Sequence, residues 1–217
     1  MLRDYYTQNV FIGLIVFCLL LVVLASQLFS ARFIDFVSVI WNDRYSKLYI
    51  RERKKLDIFN GILFLNLIIS CGLFLIICYK IFLQDIENEN LALIFLISGL
   101  FLMLILKITL ERLVAHAFEI TEMVKNYLFR KATYKNVSGL VLLAGNVLLL
   151  FSTLDKKMVI FSIITLIFLI NVIGFIRFFK DYQKVLIINL FYFLLYLCAL
   201  EIGPYVILYK VIKDYFA

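Results

Sequence analysis

The residues able to do chemistry in this chain are few and stand in two places. One is "CALEIGPYVILYK", where Glu201 interrupts a run otherwise almost wholly apolar from Val185 to Tyr209, and Pro204, the single proline, follows three positions later. The other is the row Lys107, Glu111, Arg112, His116 and Glu119. On a helix Lys107 and Glu111 are four apart, as are Arg112 and His116, while His116 and Glu119 are three apart, so each pair shares a helix face. Such a row suits an ion-paired helix at a membrane boundary, with the stem of Lys107 snorkelling to the interface; the sharper reading is a relay for protons or ions. His116 is the only histidine, which argues against multi-histidine di-iron centres, two-histidine haem ligation and zinc protease sites. The chain has no His-Glu-x-x-His, no Gly-x-Ser-x-Gly and no glycine-rich phosphate loop. Its acids Asp35, Asp43, Glu119 and Glu122 are scattered among bases rather than gathered for magnesium. No catalytic residue, cofactor or metal ligand is assigned, and a non-enzymatic role is expected.

What must position these residues is a membrane. Hydrophobic residues make up 65% of the chain and the mean hydropathy is +1.02, against about 45–50% apolar content in soluble domains. Apolar runs long enough to cross a hydrocarbon core of about 30 Å recur. They predict an all-α, polytopic protein forming a single membrane domain over residues 1–217. Six spans are expected, at 10–29, 58–82, 91–110, 137–154, 158–179 and 185–204. The helical form is forced, because lipid offers backbone groups no water to bond. The first run is too long for a signal-peptide core and no small-x-small cleavage pattern follows it, so it reads as a retained span.

The net charge of +7 does not point to nucleic acid, because the basic residues lie beside apolar runs. Sixteen of the 22 Lys and Arg residues fall in segments 31–57, 111–136 and 180–184 or at their edges, which marks these segments as cytoplasmic. Both termini are then expected on the non-cytoplasmic side. The four cysteines, Cys18, Cys71, Cys78 and Cys198, all fall within spans and read as packed thiols.

Two cytoplasmic segments read as more than connectors. Over 31–50, Phe33, Val37, Ile40, Trp41, Leu48 and Tyr49 fall near one face at helical spacing, predicting an amphipathic helix at the interface. With Trp41 and Arg44, the "RERKK" residues Arg51, Arg53, Lys54 and Lys55 form a candidate surface for anionic lipid headgroups or a partner. The second segment continues the third span without Gly or Pro, predicting one helix from Leu91 to about Phe129, roughly 58 Å long. Inside the spans, Asn66, Ser70, Asn146, Asn171 and Asn189 read as interhelical hydrogen-bonding groups, and Gly139 and Gly145 as points of close helix approach. Counted from Lys184, Glu201 lies about 25 Å along its helix, near the far rim of the hydrocarbon rather than at its centre. Pro204 should kink or end that helix.

"WNDRY" (Trp41 to Tyr45), "KITLERLVAHAFEIT" and the terminal "NLFYFLLYLCALEIGPYVILYK" together resemble an uncharacterised family of small polytopic inner-membrane proteins from gram-negative bacteria with type IX secretion. The resemblance covers most of the chain and implies an inner-membrane location and an association with secretion or gliding. It implies no catalytic residues; Glu201, Ile202 and Pro204 form its most recognisable element. The expected function is that of a component or partner subunit of a membrane protein assembly. Its expected partners are anionic lipid headgroups and other membrane proteins, not nucleic acid. The alternatives are a small proton- or ion-coupled transporter using Glu201, Lys107 and Glu111, and a lipid-active enzyme.

Overall fold

The computed structural model describes residues 2–42, 45, 48–49, 57–82, 89–117, 121–188 and 210. Within them the chain forms helix α1 (Leu2–Leu28), a short α2 (Ser30–Val37) ending in a 3-10 turn (Ser38–Ile40), and then α3 (Ile58–Phe82), α4 (Glu89–Ala117), α5 (Thr121–Phe151) and α6 (Lys156–Ile188). Among the described residues, five helices are long and apolar enough to cross a membrane: all but α2. The expected sixth span, 185–204, falls outside the described residues except for its first turn, which belongs to α6.

Helix ends follow local chemistry. Asp155 stands before α6 and its Oδ1 accepts from the Lys157 N–H at 3.1 Å, satisfying one of the donors a helix start leaves open. Asp57 holds the same position before α3, its carbonyl accepting from Gly61 N at 2.9 Å and its carboxylate from Asn60 Nδ2 at 2.7 Å. A carboxylate there also meets the positive end of the helix dipole. Between α1 and α2 the chain bends at Phe29 (φ −134°, ψ 51°).

α3 and α5 are the centre of the bundle. Within the bundle 61% and 56% of their membrane-crossing windows are buried, against 28% for α1 and α6 and only 6% for α4. α3 and α5 run parallel in fixed register: Asn136 Nδ2 donates to Asn60 Oδ1 at 3.5 Å and Asn146 Nδ2 to the Ser70 carbonyl at 2.8 Å, both pairs 76 residues apart. Between these bonds the backbones nearly touch. A Cβ on Gly139 would stand 2.9 Å from Leu67 Cα, so only glycine permits this approach. At Gly174 of α6 an added Cβ would lie 2.5 Å from the Tyr134 ring, which seats α6 against α5. Parallel α3 and α5 and the antiparallel turns between successive helices bring the ends of α1, α4 and α6 to the starts of α3 and α5. Most of the charged side chains meet at this basic end.

Three expectations are corrected. The helix predicted from Leu91 to Phe129 does not exist as one piece. Glu111 and Lys131 are 20 residues apart, which would separate them by about 30 Å on a continuous helix, yet Lys131 Nζ lies 2.8 Å from Glu111 Oε1. The chain therefore doubles back: of the segment 111–136 assigned to the cytoplasm, 111–117 end α4 and 121–136 form the start of α5. That helix begins at Thr121 and ends at Phe151, so 152–154 belong to the following turn rather than to span 137–154. Likewise α6 runs through the expected connector 180–184 to Ile188.

Over the expected interfacial segment 31–50, the described residues are helical through Val37, form the 3-10 turn Ser38–Ile40, and are helical again at Tyr45, Leu48 and Tyr49. Phe36, Val39 and Tyr45 are the buried positions, while Val37, Trp41 and Leu48 are exposed. Phe36 packs edge-on to Phe59 and Tyr45 at 5.6 and 5.7 Å between ring centroids. One side of the segment is thus held in the bundle's core cluster with Ala25, Leu63, Phe129 and Tyr134, while Val37 and Trp41 of the expected interfacial face are exposed.

Candidate functional site

At the basic end, the structure builds from single side chains a layer of charges embedded in apolar packing. Arg32, on α2, grips Asp57 with both arms of its guanidinium: Nη1 donates to Oδ1 at 2.8 Å and Nη2 to Oδ2. Nη2 also reaches the Tyr45 hydroxyl at 3.3 Å, and the guanidinium carbon lies 4.8 Å from the ring centroids of both Tyr49 and Phe59. A planar cation suits this place because it can fork onto a carboxylate while stacking on rings. Burial works against the Arg32 charge, but the bonds to Asp57 and Tyr45 outweigh it and move its pKa up. Burial pushes the Tyr45 hydroxyl up to about 12, with Arg32 pulling the other way. From Asp57 the polar chain passes to Asn60 and on to Asn136, joining α2, α3 and α5.

Arg177 does a second job on α6. Its Nη1 donates to the Val39 carbonyl at 2.6 Å and its Nη2 to the Ile40 carbonyl at 2.7 Å, while Nη1 also reaches the Tyr134 hydroxyl at 3.3 Å. These carbonyls end the α2 turn, where helix geometry leaves acceptors open and the dipole is negative, so a cation caps them. Two further ion pairs tie neighbouring helices: Arg130 to Asp181 at 2.7 Å and Lys131 to Glu111 at 2.8 Å. At the opposite end Lys80 and Glu89 pair at 2.7 Å, so α4 is pinned at both ends.

Between α3, α4 and α5 this layer encloses a cavity of about 530 Å³. α3 contributes Asn60 and Phe64, with Asp57 just before it; α4 contributes Leu104, Lys107, Ile108 and Glu111. α5 contributes Lys125, Leu128, Phe129, Lys131, Ala132, Lys135 and Asn136. The helical period puts these α4 and α5 residues, three and four apart, on facing stripes. A smaller cavity of about 260 Å³ lies across α5, against α6, between Arg130, Tyr134, Asn171 and Phe178.

Lys107 and Glu111, singled out from sequence, line the larger cavity together. Arg112 and His116 lie in the last turns of α4, with side chains outside the described set, and Glu119 is not among the described residues. Glu201 and Pro204, and Arg44, Arg51, Arg53, Lys54 and Lys55, are likewise outside the described residues. Trp41 is described: its N–H donates to the Ser38 carbonyl at 2.9 Å and its side chain is 80% exposed. Asn146 and Asn171 bond across helices as expected, Asn171 to Ser138 Oγ at 3.0 Å. Asn66 is fully buried, and neither amide atom of its side chain has a hydrogen-bond partner.

Sequence reasoning counted Arg32 and Arg177 only as topology charges and did not weigh Asp57. One signal was readable: Arg177 falls inside the predicted span 158–179, where a charge needs a partner.

The fold and this layer define a multi-pass helical membrane protein whose polar groups bind its helices to one another at one end of the bundle. The chain belongs to the family described as domain of unknown function DUF4271, whose family model matches residues 11–212. No curated protein and no solved structure matches it.

Proposed function

We propose that the protein is a non-enzymatic component of a membrane protein assembly in the bacterial inner membrane, with both termini on the non-cytoplasmic side. The observation that carries this reading is α4. It is long enough to cross the membrane, yet only 6% of its crossing window is buried within the described bundle. Ion pairs at both ends hold it beside the bundle. Its outer face offers Phe95, Leu102 and Met103 around a notch at Ser98 and Gly99, where a Cβ added to the glycine would meet nothing within 4 Å. Small residues amid large apolar ones are how membrane helices gain close packing, since lipid supplies no hydrophobic force between them. The resemblance to proteins of bacteria with type IX secretion supports an assembly serving secretion or gliding. The basic end, which gathers segments rich in Lys and Arg, would face the cytoplasm.

A photo-crosslinking residue placed at Phe95 or Leu102 in native membranes tests this reading. A discrete protein adduct, absent when the probe is at buried Leu93, is expected; adducts with lipid alone would sink the assembly reading.

A further inference from the structure

The α2 segment is apolar on its outward side as well as its inward one. Residues three, four and seven apart share a stripe along a helix. Arg32, Phe36 and Val39 form the stripe turned to the bundle, with Arg32 on Asp57 and Phe36 on Phe59. Asp35, Ser38 and Asn42 form a polar stripe about 100° to one side of it. Phe33 and Ile40 lie on the other side, half-buried against the core cluster. Ile34, Val37 and Trp41 form the stripe turned directly away from the bundle, and all of them are exposed.

This outward stripe lies outside the crossing windows, which end at Leu28 on α1 and begin again at Ile58 on α3. Ile34 and Trp41 are 69% and 80% exposed there, so the acyl chains around the crossing helices do not account for them. Both ends of α2 are nonetheless held at the edge of the apolar layer. Arg32 grips Asp57, the residue just before the α3 window. Arg177, which holds the Val39 and Ile40 carbonyls, stands about 6 Å inside the end of the α6 window at Asp181. Arg32 and Val39 are about 10 Å apart along the helix. With both pinned near one depth, α2 runs along the membrane plane rather than down its normal.

We propose that the outward face of α2 sits in the headgroup–acyl boundary of the phospholipid leaflet at the basic end. Ile34 and Val37 lie against the upper acyl chains and the Trp41 ring lies at headgroup level, where its amphipathic indole is favoured. One roll of the helix then gives every stripe a matching neighbour. The bundle takes Phe36 and Val39, water takes Asp35, Ser38 and Asn42, hydrocarbon takes Phe33 and Ile40, and lipid takes the outward stripe. α2 thereby ties the leaflet to α3 and α6 through Arg32 and Arg177. The proposal is independent of the assembly reading, which concerns the outer face of α4.

Trp41 is the only tryptophan, so its own fluorescence reads this face. The full-length protein is reconstituted in vesicles of phosphatidylcholine and phosphatidylglycerol in equal amounts. The phosphatidylcholine is brominated either high or low on its acyl chains, and acrylamide serves as the aqueous quencher. For an apolar face about 5–10 Å into the boundary, Trp41 emission should be blue-shifted from that of tryptophan in water. It should be quenched more by the high bromines than by the low ones, and it should resist acrylamide. Val37→Asp puts a carboxylate on the outward stripe and leaves Arg32, Phe36 and Arg177 in place. It should shift the emission to the red, weaken quenching by the high bromines and strengthen quenching by acrylamide, whereas Val37→Leu should change none of these. If Val37→Asp does not fold, the profile of the native protein decides the matter. Strong acrylamide quenching without bromine quenching puts Trp41 in water, and shielding from both puts it under protein. Either result overturns the proposal, as does quenching mainly by the low bromines or an unchanged profile in folded Val37→Asp.

Discussion

Arg177→Met removes a guanidinium that closes the end of the α2 turn while keeping an unbranched apolar stem against α5. Two short bonds go, from Nη1 to the Val39 carbonyl at 2.6 Å and from Nη2 to the Ile40 carbonyl at 2.7 Å. Hydrogen bonds from a charged donor contribute about 1.5–3 kcal/mol each, and the Val39 carbonyl would keep only the longer bond from the Tyr134 hydroxyl at 3.5 Å. The two carbonyls are not equal: Val39 is fully buried, whereas Ile40 is half-buried and its carbonyl can regain water. Counting the Val39 side in full and the Ile40 side in small part gives a loss of about 3 kcal/mol. Unfolding in mixed micelles, followed by helix circular dichroism, measures it. Trp41, the only tryptophan, stands next to the freed carbonyls and reports the local event: its fluorescence anisotropy should fall before global unfolding begins. Arg177→Lys should recover only part of the loss, since a point ammonium cannot fork onto two carbonyls. If Arg177→Met unfolds like the native protein and leaves Trp41 anisotropy unchanged, the argument that α6 anchors the α2 turn is refuted.

Other perturbations follow from the same contacts. Gly139→Ala sets a methyl 2.9 Å from Leu67 Cα, where backbone must give way, and should destabilise by about 1–3 kcal/mol in the same unfolding assay. Glu111→Gln removes the carboxylate 2.8 Å from Lys131 Nζ and should destabilise by about 1–3 kcal/mol, with part of the loss coupled to Lys131→Gln in a double-mutant cycle. Tyr45 has its pKa raised to about 12, above the unfolded value of about 10. Its contribution to stability is therefore complete below about pH 10 and is lost as pH rises through about 12. A tyrosinate difference spectrum against Tyr45→Phe should place its ionisation in that window, and an ordinary tyrosine titration would contradict the buried position.

The sequence by itself determined the membrane character and the approximate position of the crossing helices. Insertion is a property of one segment at a time: a run such as Ile58–Phe82 carries its own transfer free energy, and lipid forces it to be helical. The asparagine pairs and the tight glycines were legible for a related reason, since polar or very small residues in an apolar run need a neighbouring helix to account for them. Tertiary structure alone decided which neighbour. Arg177 finds carbonyls 137 and 138 residues away, and no local period encodes that distance. The doubling-back between Glu111 and Lys131 was invisible because both flanks have uninterrupted helical patterning and no Gly or Pro marks the reversal. That Phe36 and Tyr45 turn inward was decided by aromatic packing on Phe59 of another helix, which local spacing does not encode. Lys107 and Glu111 were found from their spacing along one helix. That they share a cavity with Lys125, Lys131 and Lys135 follows only from two helices folding face to face.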